Sequence, residues 1–205
     1  MRLKNLPTIN FLRLTCAVLA GCILTFSTIS MAADSTLPSG VFTAIMLKAL
    51  NYDRNIDRIA KDKVIIGVVS FADDAQSQDF AGQVSADISK VQSDFTLKDK
   101  PMESKNLSLE GPFDKVKFED QLRQDSISVL VVAVNDTSSM NNILQATKDL
   151  QISSICVNPG CAQNGVALEI AQKDDRPRMM INLNTVKQEG SDYNSKFLAM
   201  CEVVK

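Results

Sequence analysis

The chain has no histidine and no tryptophan, and only 5% of its 205 residues are aromatic. The missing histidine excludes an imidazole acid or base, the Ser-His-Asp and Cys-His nucleophile arrangements, and every zinc site that needs an imidazole ligand. Beyond the first 32 residues there is no Gly-x-Gly-x-x-Gly and no phosphate loop, so nucleotide binding has no motif behind it. Ser-x-x-Lys and Gly-x-Ser-x-Gly are absent as well, which removes the histidine-free and elbow-type serine nucleophiles. A basic excess is also missing. With 22 basic and 24 acidic residues the formal charge is −2, which does not suit a nucleic-acid binder.

What is present begins with a single long apolar run. Arg2, Lys4 and Arg13 give a positive start, Leu14 to Ile29 is almost wholly apolar, and Ser30-Met31-Ala32 supplies small residues before a cut at Ala33. These are the parts of a secretory signal peptide, so residues 1–32 are read as a leader and 33–205 as the mature domain. A retained anchor is the rival reading, but the run is short of the roughly 20 residues a spanning helix needs. Leu19-Ala20-Gly21-Cys22 also resembles a lipobox, with Cys22 as the lipidated residue, although Ile23-Leu24-Thr25-Phe26 continues the apolar run where a polar tether belongs. Both routes take the protein out of the cytoplasm. Three basic and no acidic residues leave with the leader, so the mature chain carries a formal −5.

The mature chain alternates strand and helix signals. Phe42, Ile45, Met46, Ala49, Tyr52, Ile56 and Ile59 recur at spacings of three and four, predicting one helix with Ser39 as N-cap. The β-branched run Lys63–Ser70 predicts a buried strand. A helix follows with Phe80, Val84, Ile88 and Val91 inward, capped by Asp73 or Asp74. A weaker strand holds Leu107 and Leu109, and a short helix holds Val116, Phe118 and Leu122. Ser128–Val134 is the clearest strand, and Asp136 or Ser138 caps the helix after it. Ile152–Val157 is a further strand. Gly165–Ala171 and Arg178–Leu183 flank a Lys173-Asp174-Asp175 turn and read as an antiparallel hairpin, with a closing helix over Tyr193–Val203. The fold class is α/β, a single-domain layered sandwich with a mostly parallel central sheet.

Candidate chemistry is sparse. Cys156 and Cys161 bracket Val157-Asn158-Pro159-Gly160, whose residues suit a tight turn that brings the two sulfurs within bridging reach. In an oxidising compartment the reading is a structural disulfide, with two free thiols or a redox switch as the alternatives. Cys201 reads as a buried small hydrophobe. Asp73-Asp74 and Asp174-Asp175 lack the alternating spacing of a calcium loop and read as a helix cap and a hairpin turn. No residue set assigns a catalytic group, a cofactor or a metal. Lys48, Asp53, Arg54 and Asn55 form a candidate contact patch for a partner or ligand beside an apolar helix face, or else a solvated helix end with weak ion pairs.

Phe42–Asn55 followed by Val64-Ile-Ile-Gly-Val-Val69, together with Gly165-Val-Ala-Leu168, Met180-Ile-Asn-Leu183, Gly190, Ser195, Leu198 and Cys201–Val204, resembles the YfiR/HmsC-like family of bacterial periplasmic proteins. The likeness runs from about Val41 to Val204. Tyr52-Asp53-Arg54-Asn55 stands where many members carry a Trp-Pro pair. The resemblance implies a non-catalytic periplasmic α/β domain, with disulfides that matter for stability and redox response. It also implies a membrane signalling partner, a diguanylate cyclase inhibited through its periplasmic sensor region, and hence control of cyclic-di-GMP and biofilm formation. A homodimer is compatible with it. The competing expectation is a small-ligand binder akin to half of a periplasmic solute-binding protein, with its pocket near Ser70-Phe71, Asn135-Asp136 and Asn158-Pro159 at the carboxyl ends of the strands.

Overall fold

Val64–Phe71 is buried along all but its last residue, which only a strand covered on both faces can be. This is β1, the second strand of a seven-stranded sheet. The computed structural model describes residues 37–134 and 136–204. The leader 1–32 with Cys16 and Cys22, and Asn135, lie outside them.

In chain order the elements are α1 (Ser39–Asn51), α2 (Ile56–Ile59), β1 (Val64–Phe71), α3 (Ala75–Val91), β2 (Met102–Leu109), α4 (Lys115–Gln124) and β3 (Val129–Val132). They continue with α5 (Thr137–Leu150), β4 (Ser153–Cys156), β5 (Leu168–Lys173), β6 (Arg176–Asn182), α6 (Leu183–Gln188), α7 (Ser195–Leu198) and β7 (Glu202–Val204). The sheet order is β2-β1-β3-β4-β5-β6-β7. Every pairing is parallel except β5–β6, the antiparallel hairpin expected from the sequence. Its turn residues Asp174 and Asp175 both have positive φ, as a two-residue hairpin turn requires.

The period of two along β1 divides the core. Val64, Ile66 and Val68 join Phe42, Met46, Leu50, Val84 and Ile88 from α1 and α3 on one face. Ile65 and Val69 join Phe118, Leu122, Ile143 and Leu144 from α4 and α5 on the other. Gly67 lies on this second face, where an added Cβ would stand 3.0 Å from Leu107 Cδ1 and 3.1 Å from Leu130 Cδ1. The fold is therefore a layered α/β sandwich.

Four local expectations change, the simplest being Val91, expected inward, which is exposed at the end of α3. Ser39 is not a cap: it is the first residue of α1, and its hydroxyl donates to Asp87 on α3 at 2.8 Å, tying the two helices together. Asp74 and Asp136 do cap α3 and α5, Asp74 accepting the amides of Gln76 and Ser77 and Asp136 that of Ser139. The single helix expected across Phe42–Ile59 stops at Asn51, because the segment from Tyr52 to Asn55 is bound by a loop far along the chain. The closing helix shrinks to Ser195–Leu198, and Glu202–Val204 instead extends the sheet beside β6, where Arg178 pairs with Glu202.

Candidate functional site

Two junctions hold the buried carboxylates Asp53, Glu189 and Glu169. The first joins the end of α1 to residues 189–194. Asp53 is fully buried and forms a bridge with Tyr193, while Arg54 N donates to Asp192 O at 2.8 Å and Asn194 N to Tyr52 O at 3.1 Å. Asp53 Oδ1 accepts the amides of Asn55 at 2.9 Å and Asp192 at 2.8 Å. Asn55 Nδ2 and Arg58 Nη2 both donate to Gly190 O at 3.0 Å. Gly190 sits at φ +78°, which favours glycine, and a Cβ there would stand 2.5 Å from Arg58 Nη2, the movable end of that side chain. Tyr193 stacks on Phe197 at 4.9 Å, and Tyr52 stacks on the same ring at 5.7 Å. Burial, followed by the nearby Asp53 charge, pushes the Tyr193 hydroxyl far above its usual range.

Of the four residues of the candidate patch, this latch uses three. Asp53 is an interior acceptor, Asn55 is half-buried on Gly190, and Arg54 pairs with Asp192 at 2.9 Å with 61% and 46% of the two side chains exposed. Lys48 stands apart, exposed in the last turn of α1, where a cation faces the carbonyl end of the helix.

Glu189 anchors the same loop from inside. It is fully buried, and its carboxylate accepts Thr147 Oγ1 at 2.6 Å, Ser154 N at 2.7 Å and Ser154 Oγ at 2.7 Å. Burial raises its pKa to about 7 against the downward pull of these three bonds. Sequence reasoning missed this residue. Its only signal was a glutamate beside a glycine.

The second junction is the loop after β4. Cys156 and Cys161 are joined by a disulfide, with Cα atoms 6.6 Å apart. Glu169 faces them from β5, in register with Cys156 and only 4% exposed. Its Oε2 accepts Ala162 N at 3.1 Å, and Asn182 Nδ2 holds Ala162 O at 3.0 Å. Glu169 was also missed, because eight residues and a turn separate it from the nearer cysteine. Cys201 is free and half-buried, and burial pushes its thiol up to about 12, so it is a poor thiolate.

A concavity lies at each end of the parallel strands. One of about 750 Å³ lies at the amino ends of β1, β3 and β4 and brings together Arg58, Lys61, Lys63 and Arg123 over an apolar floor that includes Ile65 and Ile152. Arg58 therefore belongs both to the Gly190 latch and to this basin. The other, about 370 Å³, lies at the carboxyl ends and holds Asp74, Asp79, Phe80 and Asn158. The larger cavity is thus at the opposite end of the sheet from the one expected for a ligand. Among the described residues no helix is long and apolar enough to cross a membrane.

Comparison with known proteins gives a family and a fold. The family model described as YfiR/HmsC-like matches residues 62–202. No curated protein gives a significant match. Among solved structures, a conserved domain protein from Vibrio cholerae is 11% identical with a TM-score of 0.55, over 82% of this chain and 60% of that one. The ABC domain in complex with L-Trp from Streptococcus pneumoniae is 9% identical, with a TM-score of 0.52 over 76% and 60%. A ligand-free, open substrate-binding protein with adhesive properties from Clostridium difficile is 14% identical, with a TM-score of 0.51 over 74% and 57%. The chain spans about three fifths of the length of each of these structures, and at such identities the likeness is one of fold alone.

Proposed function

The chain belongs to the YfiR/HmsC-like family, and from that membership we propose that it is a periplasmic regulatory binding domain acting by contact, without catalysis. The family consists of periplasmic regulators of cyclic-di-GMP signalling. The partner in this reading is a membrane signalling protein, a diguanylate cyclase held inactive through its periplasmic region. The family match carries the reading, and the disulfide, at home in an oxidising compartment, supports it. Arg54 and Lys48 are the members of the candidate patch with enough exposure to meet such a partner. Inactivating the gene should raise cellular cyclic-di-GMP, and the tagged protein should co-purify a membrane cyclase. Unchanged levels together with no co-purifying cyclase would sink the proposal.

Residues 1–32 act in this reading as the export signal. Amino-terminal sequencing of the exported protein should begin at Ala33, whereas a lipidated Cys22 would overturn that boundary. A homodimer is part of the same reading, since β2 and β7 each leave a sheet edge unpaired among the described residues. Light scattering should give twice the chain mass.

The second reading, a small-ligand binder, rests on the basin at the amino ends of the strands. Four cationic side chains against one acidic one, Asp62, leave the basin with a positive excess over an apolar floor, which suits a small anionic ligand with an apolar body. Two structures of similar fold are described as an L-Trp complex and a substrate-binding protein. A thermal-shift screen of amino acids, sugars and quinones should find a stabilising compound, and a blank screen counts against this reading.

A further inference from the structure

We propose that Cys156 and Cys161, once their disulfide is reduced, form with Glu169 a buried site for one thiophilic divalent cation, with Zn²⁺ the best match. The two sulfurs and a Glu169 carboxylate oxygen all lie within 4.8 Å of one another, and all three residues are buried. Two thiolates and one carboxylate are ligands zinc accepts, at about 2.3 Å to sulfur and about 2.0–2.2 Å to oxygen, leaving a fourth position open.

The carboxylate is the observation that points to a cation. Glu169 is 4% exposed, its hydrogen bond comes from a single amide, Ala162 N, and no ion pair reaches it among the described residues. With Oε2 taken up by a single amide, the carboxylate keeps lone pairs for a cation seated between it and the sulfurs.

The loop is also held in place without the sulfur–sulfur bond. Val166 N and Asn164 N donate to Cys161 O at 3.0 and 3.1 Å, Glu169 holds Ala162 N, and Asn182 holds Ala162 O. Cys156 is held by the β3–β4 and β4–β5 pairings. Reduction therefore leaves both thiols close to Glu169. A dithiol reductant delivers two electrons and two protons to the disulfide and itself becomes a disulfide, and Zn²⁺ then displaces the two thiol protons. Metal and disulfide exclude one another, so the site is open only to the reduced chain.

The test uses the full chain carrying Cys16→Ser, Cys22→Ser and Cys201→Ser, reduced with a phosphine and titrated with Co²⁺ and then Zn²⁺. The reduced protein should bind one equivalent, with a sulfur-to-cobalt charge-transfer band that zinc abolishes, and the oxidised protein should show no such band. Glu169→Gln keeps an acceptor for Ala162 N and should weaken binding at least tenfold with an unchanged circular dichroism spectrum. Cys161→Ser should remove most of the charge-transfer intensity. A reduced chain without the band, equal affinity in Glu169→Gln, or a reduced chain that unfolds and is not refolded by zinc would each overturn the proposal.

Discussion

The amide and the hydroxyl of Ser154 both end on the carboxylate of Glu189, 35 residues later, each at 2.7 Å. A strand in the middle of the sheet is thereby fastened to the loop that holds Asn55 and Arg58 through Gly190 O. Removing this acceptor orphans the buried amide and hydroxyl of Ser154 at once, whereas Thr147 Oγ1, which reaches the same carboxylate, keeps Leu144 O as an acceptor.

Stability should fall as the pH rises through neutrality. Glu189 has its pKa raised from 4.5 to about 7 by burial, so the folded state binds a proton more tightly than the unfolded chain. Its contribution is fully present below 4.5 and is lost as pH climbs through about 7. Between pH 5 and 8 this amounts to about 2–3 kcal/mol. Urea unfolding at the two pH values should show the loss, and Glu189→Gln should flatten it. A wild-type slope that Glu189→Gln leaves unchanged assigns the effect elsewhere.

Gly190→Ala should loosen the latch. The backbone has positive φ, which a Cβ strains, and the new Cβ meets Arg58 Nη2 at 2.5 Å, so the Arg58 guanidinium must shift at Gly190 O. The expected cost is about 1–2 kcal/mol, read as a lower thermal midpoint. A variant as stable as the parent would mean that the loop repacks.

Asp53 and Arg54 should separate structure from contact. Asp53→Ala leaves two amides without their acceptor in the interior and should cost about 2–3 kcal/mol. Arg54→Ala breaks an ion pair that is largely exposed and should cost under about 1 kcal/mol. If Arg54 touches the signalling partner, Arg54→Ala with Lys48→Ala should weaken co-purification of the cyclase at unchanged thermal stability. Retained co-purification would remove both residues from the contact.

Replacing Cys156 and Cys161 by alanine should lower stability by about 2 kcal/mol, the loop-closure entropy of so short a ring. The hydrogen bonds around Ala162 should keep the loop folded. Denaturant unfolding should show a shifted midpoint with an unchanged slope.

Residue pattern carries far in this protein where the interaction is local. The β-branched runs of β1 and β3, the aspartate caps of α3 and α5, and the Asp174-Asp175 turn depend on neighbours a few residues away, and all were legible. The disulfide was legible for the same reason, since a turn-forming tetrapeptide separates the cysteines. Asp53 was visible only as a charged residue at a helix end, because the amide of Asp192 that buries it lies 139 residues distant. Glu202–Val204 carried no sign that β6 would offer it an edge.

The sequence alone therefore determined the α/β alternation, the excluded imidazole chemistry and the turn that sets Cys156 and Cys161 within bridging reach, all consequences of short-range periodicity or of composition. Tertiary structure alone decided where α1 ends, which glutamates are buried, and that Glu169 meets two sulfurs. Those facts depend on which distant backbone donors reach a side chain, and no periodicity of 2 or 3.6 records that.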